Sequence, residues 1–215
     1  MKPELVLFDC DGVIVDSEPI AIDVLWADLQ SFGLKMSREE SYELFKGGTF
    51  RKAGEEAQRR GARIPSDWAD SFYPRLYEVL GKGVPLIAGV IELMDKIENA
   101  GIPIGIVSNG APEKMELTLK PHGLFERFQG RIFSAYTYGV SKPDPELVRI
   151  AARHFEIAPG KTAFVDDSPS GCKAGQAAGM LTIGFAADTP QKVLRPHCDH
   201  LVSRMDEIAP ILGLE

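Results

Sequence analysis

Short apolar runs alternate with longer amphipathic stretches along most of the chain. The runs that predict strands covered on both faces are Leu5–Phe8, 104–107, 131–134, 162–165 and Leu181–Phe185. Helical patterns, several of them opening on a proline, occupy residues 89–100, 112–122, 145–155 and 169–178. Strands that alternate with helices imply right-handed crossovers and a parallel sheet. The pattern therefore predicts a doubly wound α/β core.

One long segment, residues 16–83, contains no strand candidate. Its apolar positions recur at helical spacing, in stretches at 22–32, 37–46, 50–61 and 66–80. Gly33 predicts the end of the first of these helices, and the Gly- and Pro-rich stretch at 83–89 is typical of a linker. We therefore predict an inserted α-helical domain at 16–83 and a catalytic core formed by 1–15 and 84–215.

Polar side chains cluster directly after four of the predicted strands, where ligands bind in open parallel sheets. The clusters are Asp9 and Asp11, then Ser108 and Asn109, then Lys142 after a short loop, and finally Asp166 and Asp167. Each cluster alone is also typical of an ordinary turn or a helix cap. Their shared position at one edge of the sheet is what predicts a single site.

Crowded carboxylates raise each other's proton affinity unless a cation joins them. Mg²⁺ prefers oxygen ligands and usually brings a phosphate group as a partner. A carboxylate in such a site can attack phosphorus, and a lysine with a serine hydroxyl can hold the transferring phosphoryl oxygens. The clusters therefore predict Mg²⁺-dependent phosphoryl transfer. The sequence has no nicotinamide fingerprint and no glycine-rich phosphate loop, so we expect no nucleotide cofactor.

The composition restricts the partners. A net charge of -7 over 215 residues argues against a broad nucleic-acid surface, and it requires local positive charge or a metal to meet an anionic substrate. The cysteines, Cys10, Cys172 and Cys198, are far apart, which favours a reducing compartment. No apolar run reaches membrane-spanning length. We expect a cytoplasmic protein that binds a small phosphorylated metabolite, neither nucleic acid nor membrane, as a monomer, with a dimer as the alternative.

The motifs FDCDGVIVDSE, IVSNG, KPDPE and VDDSPSG occur in this order along the whole chain. Together they resemble the haloacid dehalogenase superfamily of phosphohydrolases, and in particular the branch that contains β-phosphoglucomutase and 6-phosphogluconate phosphatase. The resemblance implies a Rossmann-like core, an inserted helical cap between the first and second motifs, and the use of Mg²⁺.

The resemblance also implies roles for the clustered residues. Asp9 would be the nucleophile, and Asp11 would be the general acid and base that protonates the leaving alcohol and then activates water. Ser108 and Lys142 would bind the phosphoryl group, with assistance from Asn109.

The metal ligands follow from the same resemblance. Mg²⁺ would be bound by the carboxylates of Asp9 and Asp167 and by the backbone carbonyl of Asp11. Asp166 would act as a direct ligand or through a water molecule. On this basis the resemblance implies a sugar phosphatase, with 6-phosphogluconate as the candidate substrate.

The segment 45–51 falls where relatives carry a substrate-specificity loop. Lys46 and Arg51 could contact an anionic sugar there, although a solvated turn between helices explains them as well. The phosphomutase branch carries a histidine early in its first cap helix, near Ala21 here, and that histidine is absent. A phosphomutase remains the first alternative.

Three other functions are less consistent with the sequence. Dehalogenation needs neither Mg²⁺ nor a second acid, whereas Asp11 and the pair Asp166 and Asp167 favour chemistry at phosphorus. A phospho-accepting signalling domain is usually shorter and lacks an inserted cap. A silent binding protein does not require the complete catalytic set.

Overall fold

The computed structural model describes residues 2–46 and 49–214. The chain divides into two compact units, Met1–Val15 with Leu86–Glu215, and Asp16–Pro85. The larger unit contains a six-stranded sheet whose strands all run parallel, in the order β3-β2-β1-β4-β5-β6. The strands are β1 (Leu5–Phe8), β2 (Ile104–Ser108), β3 (Ile132–Ser134), β4 (Thr162–Asp166), β5 (Leu181–Phe185) and β6 (His200–Val202).

Helices of the smaller unit are α1 (Glu18–Ser31), α2 (Arg38–Phe45), α3 (Phe50–Arg59) and α4 (Trp68–Leu80). Helices of the larger unit are α5 (Val90–Asn99), α6 (Pro112–Leu119), α7 (Leu124–Arg127), α8 (Ala135–Tyr138), α9 (Glu146–His154), α10 (Pro169–Ala178), α11 (Gln191–Leu194) and α12 (Ile208–Ile211). The strands β1, β2 and β4 are buried along their whole length because helices cover the sheet. The predicted α/β class with a Rossmann-like parallel sheet is thus confirmed.

The chain direction across the sheet reverses at β1, which lies between β2 and β4. Phe8 is paired in register with Ile106 of β2 and with Val165 of β4. The residues that follow these three positions therefore meet at one edge of the sheet. Such a reversal point is where open α/β sheets bind their ligands.

The smaller unit consists of helices, with no strand among its described residues, 16–46 and 49–85. Phe72 is fully buried there and packs against the rings of Phe50 and Trp68. The Trp68 indole N–H donates to Asp28 at 2.6 Å, and Arg75 pairs with the same carboxylate at 2.8 Å. The smaller unit thus has its own apolar core, and hydrogen bonds and ion pairs within the unit connect its helices.

The structure differs from the sequence prediction at the end of one helix and in an additional edge strand. The predicted helix at 112–122 ends at Leu119 and continues as a 3₁₀ turn, Lys120–His122. Pro121 explains the change because proline has no N–H to donate and so cannot continue the α-helical hydrogen-bond pattern. The short edge strand β6 was not predicted. None of the described helices combines the length and the apolar character needed to cross a membrane.

Candidate active site

The first residue of the site follows β1 directly. The backbone N–H of Asp9 donates to the carbonyl of Val165 in β4 at 2.9 Å, which continues the pairing of the two strands for one more residue. Ser108 ends β2 and Asp166 ends β4, and both are buried. The sheet therefore holds a polar side chain at the carboxyl end of three adjacent strands.

Lys142 joins two of these strand ends. Its ammonium nitrogen lies 3.0 Å from Asp9 Oδ1 and 2.7 Å from Asp166 Oδ2, and it donates to the Val107 carbonyl at 3.2 Å. Only 2% of the Lys142 side chain is exposed. Buried charges are stable only when they are paired and hydrogen-bonded, and this lysine meets both conditions. The result is a buried Asp–Lys–Asp cluster at the centre of the site.

The cluster has an excess of negative charge, which affects the proton affinity of Asp9. Burial raises the pKa of Asp9 to about 7; the charge of Lys142 opposes this rise, and Asp166 and Asp11 add to it. Burial alone would lower the pKa of Lys142, but the charges of Asp166 and Asp9 hold it above its ordinary value. Lys142 is therefore cationic, and Asp9 would be held as a carboxylate by a further cation.

Asp166 is fixed from the side of the following helix. Its Oδ1 accepts hydrogen bonds from the backbone N–H and the hydroxyl of Ser168, at 2.8 and 2.7 Å. The same Ser168 hydroxyl caps α10 by accepting from the N–H of Gly171 at 3.0 Å. A Cβ at Gly171 would lie 1.8 Å from Asp166 Oδ2, so only glycine leaves room for this carboxylate. The cap and the glycine thus set the orientation of Asp166.

A divalent cation fits the oxygen donors of this edge. Carboxylate oxygens of Asp9, Asp166 and Asp167 all lie within 4.8 Å of one another, close enough to share one ion. Gly12 has φ +76°, and a Cβ there would lie 2.2 Å from Asp167 Oδ2, so the backbone after Asp11 runs directly beside this carboxylate. An all-oxygen donor set with surplus negative charge suits a hard ion such as Mg²⁺.

The loop after β2 is tied to the loop that carries Lys142. The side-chain amide of Asn109 donates to the Lys142 carbonyl at 3.0 Å, and its Oδ1 accepts from the Lys142 N–H at 2.9 Å. The Ser108 hydroxyl accepts from the N–H of Gly110 at 2.9 Å. Ser134 adds a bond from its hydroxyl to the Gly110 carbonyl at 2.7 Å. These bonds hold Ser108 and Lys142 in a fixed relation.

The structure adds Lys114, a residue that the sequence reasoning missed. Its ammonium nitrogen lies 2.8 Å from Asp11 Oδ1. The sequence contained a weak signal for this residue. A cation in the first turn of a helix interacts unfavourably with the helix dipole, so a lysine there suggests a role other than helix stability. The side chain of Asp11 therefore faces Lys114, whereas that of Asp9 faces Lys142.

Comparisons with known proteins identify the family. Residues 3–179 match the family model described as haloacid dehalogenase-like hydrolase. The chain belongs to this hydrolase family. The predicted resemblance is confirmed, and the protein is an enzyme of the haloacid dehalogenase-like hydrolases.

Several haloacid dehalogenase-like relatives cover most of the chain. The 6-phosphogluconate phosphatase of Escherichia coli K12 is 30% identical over 88% of this chain and 85% of its own length. The β-phosphoglucomutase of Bacillus subtilis is 29% identical over 86% of this chain and 84% of its own. A solved haloacid dehalogenase family hydrolase from Deinococcus radiodurans, with bound phosphate and sodium, has a TM-score of 0.83 and 29% identity, and covers 99% of this chain and 96% of that one.

The two predicted substrate contacts of this hydrolase lie in the smaller unit. Lys46 follows α2, and its ammonium group lies 5.0 Å from the centre of the Tyr42 ring. Arg51 is exposed in the first turn of α3. The rest of the predicted specificity loop includes Gly47 and Gly48, which lie outside the described residues. Both cations thus belong to the helical unit and not to the cluster at the sheet edge.

Proposed function

We propose that this haloacid dehalogenase-like hydrolase is a Mg²⁺-dependent phosphatase of a small sugar phosphate and acts through an aspartyl phosphate at Asp9. The observation that carries the proposal is the buried contact of Lys142 with Asp9 and Asp166. The carboxylate of Asp167 lies close enough to these two aspartates for all three to bind one metal ion. Related proteins named as phosphatases and a related structure with bound phosphate support it.

In the first step, a carboxylate oxygen of Asp9 forms a bond to phosphorus while the ester P–O bond breaks. The leaving oxygen takes a proton from Asp11, and the product alcohol departs. In the second step, Asp11 takes a proton from water as the water oxygen attacks phosphorus. The acyl phosphate bond then breaks, which releases inorganic phosphate and regenerates the Asp9 carboxylate.

The remaining residues of the larger unit stabilise the transferring phosphoryl group. Lys142 supplies a fixed positive charge, and the Ser108 hydroxyl, which accepts from the Gly110 N–H, is oriented to donate its proton to a phosphoryl oxygen. Both hydrogen-bonding ends of Asn109 are bound to the Lys142 backbone. We therefore infer that Asn109 assists by holding the lysine loop in place.

The metal would be held by the carboxylates of Asp9, Asp166 and Asp167, with the Asp11 backbone carbonyl as a further ligand. When bound, Mg²⁺ supplies positive charge to the phosphoryl oxygens and offsets repulsion between the carboxylates. The smaller helical unit, Asp16–Pro85, would act as the cap and select the substrate, with Lys46 and Arg51 as contacts for an anionic sugar.

Removal of divalent cations is expected to lower the rate of phosphate release at least about 100-fold, because a metal contributes several kcal/mol to charge stabilisation. Readdition of Mg²⁺ should restore the rate. Ca²⁺ should bind but inhibit, because its larger and looser coordination disturbs in-line attack. Phosphate release in chelator, with and without each ion, measures this. Full activity in excess chelator would contradict the metal assignment.

A phosphate-release screen with Mg²⁺ tests the activity itself. The panel contains 6-phosphogluconate, hexose 6-phosphates, β-glucose 1-phosphate and phosphoglycolate, with Asp9→Asn as the inactive control. We expect the highest kcat/KM on a sugar phosphate, with 6-phosphogluconate as the first candidate. If no ester in the panel released phosphate above the control rate, the proposal would fail.

The similarity to a β-phosphoglucomutase makes phosphomutase activity the second candidate function. A phosphomutase would convert β-glucose 1-phosphate to glucose 6-phosphate and release little phosphate. The mutase branch carries a histidine near the position of Ala21, and its absence here favours hydrolysis. A signalling domain would instead retain the phosphoryl group after one turnover. Product analysis by phosphorus NMR separates the three outcomes.

A further inference from the structure

Lys114 occupies a position that its own helix disfavours. It is the third residue of α6, in the first turn, where the positive end of the helix dipole repels a cation. Its ammonium nitrogen nevertheless lies 2.8 Å from Asp11 Oδ1, and the two side chains are 21% and 29% exposed. The contact with Asp11 therefore accounts for a lysine that helix stability does not.

The two oxygens of Asp11 face different neighbours. Oδ1 meets Lys114, whereas a Cβ built on Gly110 would lie 3.6 Å from Oδ2 and 3.2 Å from the hydroxyl of Ser108. Oδ2 thus lies on the side of the loop that would bind the phosphoryl group. The backbone at this point is also fixed, because the Gly12 N–H donates to the Val15 carbonyl at 2.9 Å. One oxygen of the carboxylate contacts Lys114, and the other lies near the loop of Ser108 and Gly110.

Lys142 contacts a different set of residues from Lys114. Its ammonium group contacts Asp9, Asp166 and the Val107 carbonyl, and its side chain is almost fully buried. The two lysines at this sheet edge therefore contact different aspartates. Lys142 serves the proposed nucleophile, and Lys114 serves the proposed general acid and base.

We propose that Lys114 is a positioning residue for the phosphatase reaction: it holds Asp11 by Oδ1, so that Oδ2 faces the leaving-group oxygen in the first step and the attacking water in the second. This inference rests on the proposed function. It assigns no contact between Lys114 and the substrate, so its removal should affect turnover much more than substrate affinity.

The test compares Lys114→Met with the wild type on an alkyl phosphate and on an aryl phosphate whose leaving group departs as a stable anion. For the alkyl phosphate we expect kcat/KM to fall about 10- to 100-fold, a part of what general acid–base catalysis contributes, with KM changed less than about threefold. For the aryl phosphate, kcat/KM should fall much less because its leaving group needs no proton. Lys114→Arg should recover part of the loss.

A double-mutant cycle adds a second readout. If Lys114 acts through Asp11, adding Lys114→Met to Asp11→Asn should cost little further activity. Lys120→Met is the matched control, because Lys120 directly follows the same helix and forms an exposed ion pair with Glu116. Its kinetics should equal those of the wild type. Circular dichroism checks folding, and Lys114→Gln replaces the methionine variant if that variant folds poorly.

Each outcome decides the inference. A Lys114 variant with wild-type kinetics would overturn it, as would equal losses on the alkyl and aryl esters or additive losses in the double mutant. In those cases an active wild type and an inactive Asp9→Asn variant would leave the proposed function standing. A wild type that hydrolyses neither ester would remove the proposed function, and this inference with it.

Discussion

Replacing Asp9 with asparagine is expected to abolish phosphate release, with kcat lowered about 10⁴-fold or more, because an amide cannot attack phosphorus. The fold should persist, since the side chains are nearly the same size and Lys142 keeps its 2.7 Å contact with Asp166. The loss of one of several crowded negative charges also removes repulsion with Asp166 and Asp11. A phosphate-release assay and thermal unfolding monitored by circular dichroism measure the two effects.

Asp206→Asn is the matched control for this substitution. Asp206 is exposed, forms an ion pair with Arg204 at 2.9 Å, and belongs to none of the polar clusters of the site. Exposed ion pairs contribute little to stability because water and salt screen them, so this variant should retain wild-type turnover and stability. Near-normal turnover in a folded Asp9→Asn protein would show that the nucleophile is another group.

Replacing Lys142 with methionine is expected to lower kcat/KM about 10³-fold or more. A single preorganised donor contributes about 10²–10³ to the rate, and a full charge at the phosphoryl group should contribute more. The substitution also removes the charge that lowers the pKa of Asp9, so a larger fraction of Asp9 becomes protonated at neutral pH. Steady-state kinetics on the preferred sugar phosphate measures the loss.

The same substitution should destabilise the fold, by about 3–5 kcal/mol, because it leaves the carboxylates of Asp9 and Asp166 buried without their partner. Urea unfolding at saturating and zero Mg²⁺ measures this, and Mg²⁺ should offset part of the loss. Lys161→Met is the control, since Lys161 pairs with Glu4 at 2.8 Å on the exposed surface. A folded Lys142→Met enzyme within tenfold of the wild-type rate would reduce this lysine to a structural role.

Much of the sheet could be predicted because strands covered on both faces have a distinct apolar pattern. The bounds of β1 and β5 agree with the runs read from the sequence. β2 and β4 each extend one residue further, to Ser108 and Asp166, because backbone pairing continues through these polar residues. An apolar run in the sequence ends at its last apolar side chain, whereas the strand continues for as long as its backbone is paired.

The edge strand β6 had no comparable signal. It has three residues, His200–Val202, and only Val202 is buried. Its pairing with Ile183, Gly184 and Phe185 of β5 defines it as a strand, and that long-range contact cannot be read from three local residues.

The meeting of the polar clusters at one sheet edge followed from the rule for parallel sheets, but their contacts did not. The reciprocal hydrogen bonds of Asn109 with Lys142 connect loops 33 residues apart in sequence. The ion pair of Asp11 with Lys114 depends on how α6 packs beside the loop after β1. Both depend on strand register and helix placement, which residue patterns alone do not specify. The chemical roles of these residues remain predictions.

Direct detection of the phosphorylated enzyme tests the central claim. The Asp11→Asn variant is mixed with Mg²⁺ and an aryl phosphate, whose leaving group needs no proton from Asp11, so Asp9 should be phosphorylated but the phosphoryl group should be released slowly. The reaction is quenched in acid, and the peptides are mapped by mass spectrometry. The account predicts the mass of one phosphoryl group on the peptide that contains Asp9, at the Asp9 side chain. The account would be contradicted if the enzyme turned over its substrate but carried the phosphoryl group on another residue, or carried none at any quench time.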